Sequence, residues 1–192
     1  MRPGSALLFS VAVASTLCGS AAPARAGEKE WILALQPGFA FVKIDDRIAW
    51  GGGGGIDASY GVTDNLAVRV TGAVTEHLLD PKRDPTTMKL TAPGGPVTAY
   101  HAGAGITYAV DILRLVPYFD VSVGLLGLVQ PTDKGPKPTF DFGVEIGLGV
   151  DYLINRRVAV GFVVRYHAYL TSITQIPVYM YAGPRVAIHW GG

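Results

Sequence analysis

Regular alternation of apolar with small or acidic residues, running from Phe140 to Tyr152, is the feature that most constrains the fold of this chain. Because successive side chains of a strand point to opposite faces, one face of this segment carries aromatic and branched residues and the other carries glycine, aspartate and glutamate. The run is much longer than the roughly 5 or 6 residues of an ordinary strand. It fits the roughly 9 to 11 residues of a strand that crosses a membrane. The segment therefore predicts a strand with one face toward lipid and one toward a polar interior.

Seven further segments repeat the pattern. The alternation is clear in Val158–Leu170, Leu66–Leu78 and Val97–Val110. It is weaker or interrupted by proline in the remaining four, Trp31–Val42, Ile48–Tyr60, Val116–Val129 and Val178–Trp190. Together the segments predict an all-β fold, an eight-stranded antiparallel up-and-down transmembrane β-barrel.

The composition supports a membrane barrel. Apolar residues make up 49% of the chain and charged residues only 16%, well below the roughly 25% charged residues of soluble domains. Outside the amino terminus, no apolar run approaches the roughly 20 residues that a transmembrane helix needs. Every backbone polar group within a bilayer must be paired internally, which leaves a closed barrel as the structure that such a chain can form.

The amino terminus predicts export. Arg2 is followed by the apolar stretch Ala6–Cys18 and by the small-x-small sequence Ala24-Arg25-Ala26, the order of a cleaved signal peptide. We expect a signal peptide at 1–26 and an outer-membrane β-barrel domain at 27–192. The apolar stretch is short for a retained anchor, and the residues before Cys18 do not favour lipidation. The mature chain would contain no cysteine, and its 14 basic residues (16 less two) against 15 acidic ones give no field for nucleic acid.

The lengths of the connections predict the orientation of the barrel, because outer-membrane barrels have short periplasmic turns and longer external loops. The segments 61–65, 111–115 and 153–157 are short and rich in turn residues. The alternate connections include the long, proline-rich segments 79–96 and 130–139, together with 43–47 and 171–177. We therefore expect a periplasmic amino terminus and external loops at the opposite end.

Aromatic residues with polar edges favour the two membrane interfaces. One set falls at the predicted periplasmic ends of the strands: Trp31, Tyr60, Tyr108, Phe119, Tyr152 and Trp190. A second set falls toward the external ends: Phe41, Trp50, Tyr100, Phe140 and Tyr166. These sets predict two aromatic girdles.

The alternation turns a group of ionisable residues inward: Asp57, Arg69, His101, Asp120, Asp141, Glu145, Asp151, Arg165, His167, Arg185 and His189. An eight-stranded barrel is just wide enough to be filled by side chains, so these charges must pair with one another. Similar heights on neighbouring strands predict the ion pairs Glu145–Arg165 and Asp57–Arg69, with Arg185 as a further member of the paired lumen charges. A packed polar plug is the favoured interpretation, and a narrow gated pore is the alternative.

Two phrases carry a family resemblance. The sequences YGVTDNLAVR from Tyr60 and DYLINRRVAVG from Asp151 resemble the periplasmic turns and adjoining strands of small bacterial outer-membrane β-barrels, the group around the OmpA transmembrane domain and the OmpX-like barrels. The resemblance covers 27–192. It implies an outer-membrane location, contact with outer-membrane lipid and insertion by the barrel-assembly machinery. Many such barrels end on an aromatic residue, whereas Trp190 is followed by Gly191-Gly192.

No cofactor, metal or catalytic site is predicted. Some barrels of this group are lipases, but two positions after His167 stands Tyr169 rather than a serine nucleophile. The histidines His77, His101, His167 and His189 lack the spacing of metal ligands. The glycine run 51–55 lacks the lysine of a phosphate-binding loop.

The sequence thus predicts a non-enzymatic outer-membrane barrel with a structural, envelope-integrity or surface-contact role, whose external partner and oligomeric state are unknown. The competing hypothesis is a soluble periplasmic, lipocalin-like barrel that binds a small apolar ligand. The two differ in whether the apolar faces point outward or inward.

Overall fold

The computed structural model describes residues 28–44, 47–92, 94–132, 135–170 and 179–191. The predicted signal peptide and the loop 171–177 lie outside the described residues. Eight strands form a closed barrel in the order β1-β10-β9-β8-β7-β6-β3-β2, and β4 and β5 form a separate two-stranded sheet. The strands are β1 Glu30–Ile44, β2 Arg47–Gly61, β3 Leu66–Leu79, β4 Lys82–Arg83, β5 Leu90–Ala92, β6 Gly95–Ala109, β7 Leu115–Thr132, β8 Gly135–Asn155, β9 Val158–Tyr169 and β10 Tyr179–Gly191.

Every pairing in the barrel is antiparallel, and each barrel strand pairs with the barrel strands that precede and follow it in the chain. The first and last strands close the ring, with Trp31 opposite Trp190 and Val42 opposite Tyr179. The prediction of an eight-stranded antiparallel up-and-down barrel is confirmed. Among the described residues, no helix is long and apolar enough to span a bilayer.

The predicted faces explain which residues the barrel encloses. On β8, Glu145, Gly147 and Asp151 point into the barrel and are buried, whereas Leu148 on the opposite face is 63% exposed. Large apolar residues lie exposed around the whole outer wall, for example Phe39 and Trp50. A water-soluble protein rarely exposes so continuous an apolar surface. The outward direction of the apolar faces is that expected for lipid and opposite to that of a lipocalin-like carrier.

Short polar turns connect the strands at one end of the barrel, which we call the turn end. At 62–65 the Thr63 hydroxyl accepts hydrogen bonds from the backbone N–H of Asn65 at 3.3 Å and of Leu66 at 3.0 Å. After β8 the Asn155 side chain accepts from the N–H groups of Arg157 at 2.8 Å and Val158 at 2.9 Å. These contacts satisfy backbone donors that the ladder leaves unpaired, as turn-forming side chains do. The opposite end is called the loop end.

Two of the predicted loops at the loop end are wrong in detail. The segment 130–139 continues the β7–β8 ladder up to the pair Thr132 and Gly135, and the segment 79–96 contains the β4–β5 hairpin. The prolines of 130–139 indicated a loop because proline cannot donate to a ladder. Pro136 and Pro138 lie on this projecting hairpin, before the part of β8 that pairs with β9. Proline is tolerated there because, in the described part of the chain, no strand lies on that side of β8 to require an N–H donor.

Candidate functional site within the barrel lumen

The centre of the lumen contains five charged side chains that point inward from five different strands. Each is at most 3% exposed, and together they form what we call the ionic network: Asp57, Arg69, Asp120, Glu145 and Arg165. With two arginines and three carboxylates, the network carries a net charge of minus one. Because buried charges are costly unless paired, the energetics depend on how completely the arginines contact the carboxylates.

Arg69 contacts all three carboxylates. Its Nη1 lies 3.4 Å from Asp57 Oδ1 and 3.3 Å from Asp120 Oδ2, and its Nη2 is bonded to Glu145 Oε1. The predicted Asp57–Arg69 pair is therefore one contact among several.

Arg165 meets the same carboxylates from the opposite wall. Its Nη2 lies 2.5 Å from Asp57 Oδ2 and 3.4 Å from Asp120 Oδ2, and its Nε lies 3.6 Å from Glu145 Oε1. Gly147 leaves the space for this guanidinium stem, since a Cβ there would lie 3.1 Å from Arg165 Cγ. The structure thus brings Glu145 and Arg165 together, within a network shared by two arginines.

Neutral side chains complete the ionic network, and sequence reasoning missed them. Gln36 Oε1 accepts a hydrogen bond from Arg165 Nη1 at 2.5 Å, and its amide group donates to Asp57. Thr107 donates to Asp120 at 2.6 Å, and Ser122 donates to Glu145 at 3.3 Å. Gln36 precedes Pro37 on a strand whose alternation is weak. Its inward position on that strand is the one sequence signal that could have identified it as a lumen residue.

A second ion pair lies nearer the turn end. Arg185 Nη1 is bonded to Asp151 Oδ2, and its Cζ lies 5.2 Å from the centroid of the Tyr118 ring. A cavity of about 60 Å³ adjoins the pair and reaches the turn 61–65. Its size is sufficient for a few water molecules. The turn end of the lumen is therefore a small polar vestibule.

The loop end of the lumen is apolar. Val42, Val97 and Leu126 are at most 1% exposed there. They belong to one cluster of packed side chains, whose members toward the loop end we call the apolar plug: Ala40, Val42, Ala49, Leu79, Val97, Ala99, Leu126, Leu128, Tyr179 and Tyr181. Since packed apolar side chains exclude water and ions, the plug closes the loop end of the barrel in the described part of the chain.

Two histidines, His101 and His167, occupy the level between the ionic network and the apolar plug. The rings of His101 and His167 have centroids 4.5 Å apart, and that of His167 lies 4.7 Å from that of Tyr179. The Glu145 carboxylate lies 3.4 Å from His101 Nδ1 and 3.6 Å from His167 Nε2. His77 stands apart from this contact, with its Nε2 2.9 Å from the Thr75 hydroxyl. Spacing along the chain could not show this cluster, because its members come from β6, β8 and β9.

The aromatic residues of the two predicted girdles face outward. At the turn end, Trp31 pairs with both Tyr60 and Trp190, and the Trp31 and Tyr60 rings lie 4.9 Å apart. Tyr108 pairs with Phe119, and Tyr152 pairs with Leu115 at the start of β7.

At the loop end, the rings of Phe41 and Trp50 lie 5.3 Å apart. Tyr100 and Phe140 both pair with Gly127. Tyr166 differs from the prediction, because it pairs with Ile146, halfway along the outward face of β8, and not at the loop end.

The comparisons with known proteins agree with this architecture. Residues 9–180 match the family described as "Outer membrane protein beta-barrel domain". No curated protein matches the sequence. Neisserial surface protein A has a similar structure, with a TM-score of 0.62, 17% identity and coverage of 83% of this chain and 96% of that one.

Two other solved structures are similar. The attachment invasion locus protein Ail of Yersinia pestis, in complex with the heparin analogue sucrose octasulfate, has a TM-score of 0.58, 13% identity and coverage of 85% and 99%. OprG, an outer membrane protein of Pseudomonas aeruginosa, has a TM-score of 0.56, 15% identity and coverage of 86% and 99%. At these identities the likeness shows the fold, while the family match covers most of the chain. This chain therefore belongs to the outer membrane protein β-barrel domain family and is a protein of the outer membrane, not a soluble lipocalin-like carrier.

Proposed function

We propose that this protein is a closed, non-enzymatic outer-membrane barrel that contributes to envelope integrity and presents its loop end for contacts at the cell surface. The observation that carries the proposal is the filling of the lumen. The ionic network is at most 3% exposed, and the apolar plug lies beyond it. A solute entering the vestibule would meet paired charges and then packed apolar side chains, neither of which conducts without rearrangement.

The orientation follows from the connections. Short turns are periplasmic in bacterial outer-membrane barrels, so the turn end and the vestibule face the periplasm. The loop end then faces outward, where the β7–β8 ladder extends to Thr132 and Gly135 and β4 and β5 form their hairpin. These two projections are the surfaces best placed for contact with other molecules.

Lipid is the partner of the outer wall, and the aromatic sets mark its two interfaces. Trp190 is 47% exposed on the last strand, and we propose that this strand is recognised during insertion by the barrel-assembly machinery. His167 is 3% exposed and points into the lumen, on the opposite face of β9 from the lipid-facing surface on which a lipase would need its histidine. This placement supports the non-enzymatic assignment.

Fractionation and conductance measurements test the proposal. We expect the protein in the outer-membrane fraction and a change in gel migration between boiled and unboiled samples. Purified protein in planar bilayers should give no stable conductance steps, while a general porin reconstituted in the same bilayers provides the positive control. Reproducible steps from the protein would overturn the closed-lumen assignment and favour a gated narrow pore.

A further inference from the structure

We propose that His101, Glu145 and His167 form a binding site for a divalent transition-metal ion of the zinc class inside the lumen. Glu145 Oε2 lies 3.4 Å from His101 Nδ1 and 3.6 Å from His167 Nε2. One potential ligand atom from each residue lies within 4.8 Å of the others. Ligands bound tetrahedrally to zinc at 2.0–2.1 Å are separated by about 3.3 to 3.5 Å. The carboxylate oxygen therefore lies at this spacing from His101 Nδ1 and slightly beyond it from His167 Nε2, so a small side-chain shift completes the coordination.

The donor set selects the class of ion. Two imidazole nitrogens and one carboxylate oxygen suit zinc and its first-row neighbours, with water as a fourth ligand. Calcium and magnesium need six or more oxygen ligands or a largely retained hydration shell. A single carboxylate between two imidazoles provides neither.

Two of the three residues of the proposed site each contribute a buried polar atom that forms no hydrogen bond within the part of the chain that the structure describes. Within the described residues, the buried atoms His101 Nδ1 and Glu145 Oε2 have no hydrogen-bond partner. Their residues are 7% and 1% exposed. A buried polar atom without a hydrogen bond destabilises the fold, so a cation coordinated by both atoms removes two such penalties.

The other oxygen of Glu145 is already held. Oε1 contacts Arg69 Nη2 and accepts a hydrogen bond from the Ser122 hydroxyl at 3.3 Å, which fixes the carboxylate plane with Oε2 toward the histidines. Such outer contacts orient metal ligands and raise affinity. The neighbouring ionic network carries a charge of minus one, so the network together with a divalent ion and neutral histidines carries a charge of plus one.

A bound ion would connect β6, β8 and β9 at one level, between the ionic network and the apolar plug. These three strands pair only in part, since β6 contacts β7 rather than β8. The ion would therefore bridge the lumen, as a structural metal does, and stabilise its closed form.

The test uses the whole mature protein, refolded into detergent at pH 7.5 with and without Zn²⁺ and then passed through a desalting column. Metal content is measured by mass spectrometry, and affinity is measured by competition with a chromogenic chelator. We expect one Zn²⁺ per protein, and at least a tenfold weaker affinity in H101Q and in H167Q. H77Q is the matched control, because His77 is also buried in the lumen but lies outside the proposed site, and its affinity should equal that of the unmodified protein.

Absence of stoichiometric Zn²⁺ from the unmodified protein, or equal weakening in H77Q and H101Q, would overturn the proposal. If either site variant fails to show the gel shift of a folded barrel, X-ray absorption at the zinc edge of the unmodified protein identifies the zinc ligands instead. Two imidazole nitrogens in the first shell support the site, and a shell of oxygen alone refutes it. Neither outcome depends on whether the barrel conducts, so the site and the closed-lumen function are tested separately.

Discussion

Replacing Asp151 by asparagine should destabilise the folded barrel, because it leaves the Arg185 guanidinium buried without its ion partner. Arg185 is 7% exposed and Asp151 is 6% exposed, and Asp151 is the acidic residue in direct contact with Arg185. Removing one partner of a buried pair costs about 3 to 5 kcal/mol. The adjoining cavity of about 60 Å³ can admit water to the remaining charge, so we expect the lower end of that range, roughly 3 kcal/mol or about a hundredfold in the folding equilibrium.

The contribution of the pair itself is separated by a double-mutant cycle. In the double variant D151N/R185L neither member of this pair is charged, and a leucine packs against Tyr118. We therefore expect the double variant to be more stable than D151N alone, with a coupling energy of at least about 1 kcal/mol. The exposed pair Glu28–Lys29, whose side chains are 62% and 72% exposed at 3.7 Å, gives the control E28Q, which should change stability by at most about 1 kcal/mol.

Equilibrium urea unfolding from lipid vesicles, followed by tryptophan fluorescence and by the gel shift, measures these differences. If D151N is destabilised no more than E28Q, then the lumen at this level is open to water and the closed-lumen reasoning is wrong. If the double variant is less stable than D151N, the cost lies in packing rather than in the unpaired charge.

Three further predictions concern the outer surface. Ile146 is 45% exposed, halfway along the outward face of β8, and Ile146→Arg should lower the free energy of unfolding by about 2 to 4 kcal/mol in the same vesicle assay. Ile154→Arg, at the turn end, should lower it by about 0 to 1 kcal/mol. Equal losses would contradict a lipid-facing wall. Trp31, Trp50 and Trp190 report on the depth of the girdles. If the girdles lie at the interfaces, lipids brominated near the headgroup should quench tryptophan fluorescence more strongly than lipids brominated at the chain ends. The opposite order would refute the girdle assignment. Hydrogen bonds from the backbone N–H groups of Thr87 and Thr86 lower the pKa of Asp84. The turn before β5 should therefore be ordered above the ordinary aspartate pKa and should loosen as the pH falls through the lower pKa of the folded protein. The amide shifts of the two threonines in an NMR titration measure this pKa, and a midpoint at the ordinary aspartate pKa would argue against the turn.

The barrel could be predicted because the alternation depends on one strand at a time. The pattern of Phe140–Tyr152 fixes which face meets lipid, whatever its neighbours are, and the short turn after Asn155 fixes the direction of the next strand. Segments that contain proline are harder to assign to a strand or a loop, because the sequence alone does not distinguish proline at the free edge of a strand from proline in a loop. The extended end of β8, with Pro136 and Pro138, was missed for that reason.

The lumen contacts depend on the stagger of neighbouring strands, which no single segment contains. Facing residues of β8 and β9 include Glu145 with His167 and Gly147 with Arg165. This register places the histidine directly opposite the carboxylate and the arginine one inward position away. The prediction joined Glu145 to Arg165, but the approach of His167 requires the register. Likewise, the approach of His101 requires the curvature that brings β6 across the lumen from β9.

The arrangement of the lumen follows from what surrounds it. In a soluble protein the charged groups of a buried ionic network lose their hydration, and replacing them with apolar side chains often gives a protein of equal stability. Here lipid surrounds the outer face and the barrel is narrow, so a charged side chain that points into the lumen must find its partners inside. Two arginines among three carboxylates satisfy most of that requirement, and the Oε2 atom of Glu145 is one of several buried polar atoms that form no hydrogen bond among the described residues. Among these atoms, Glu145 Oε2 is the one that faces two imidazole nitrogens, which is why this level of the lumen is suited to hold a metal ion.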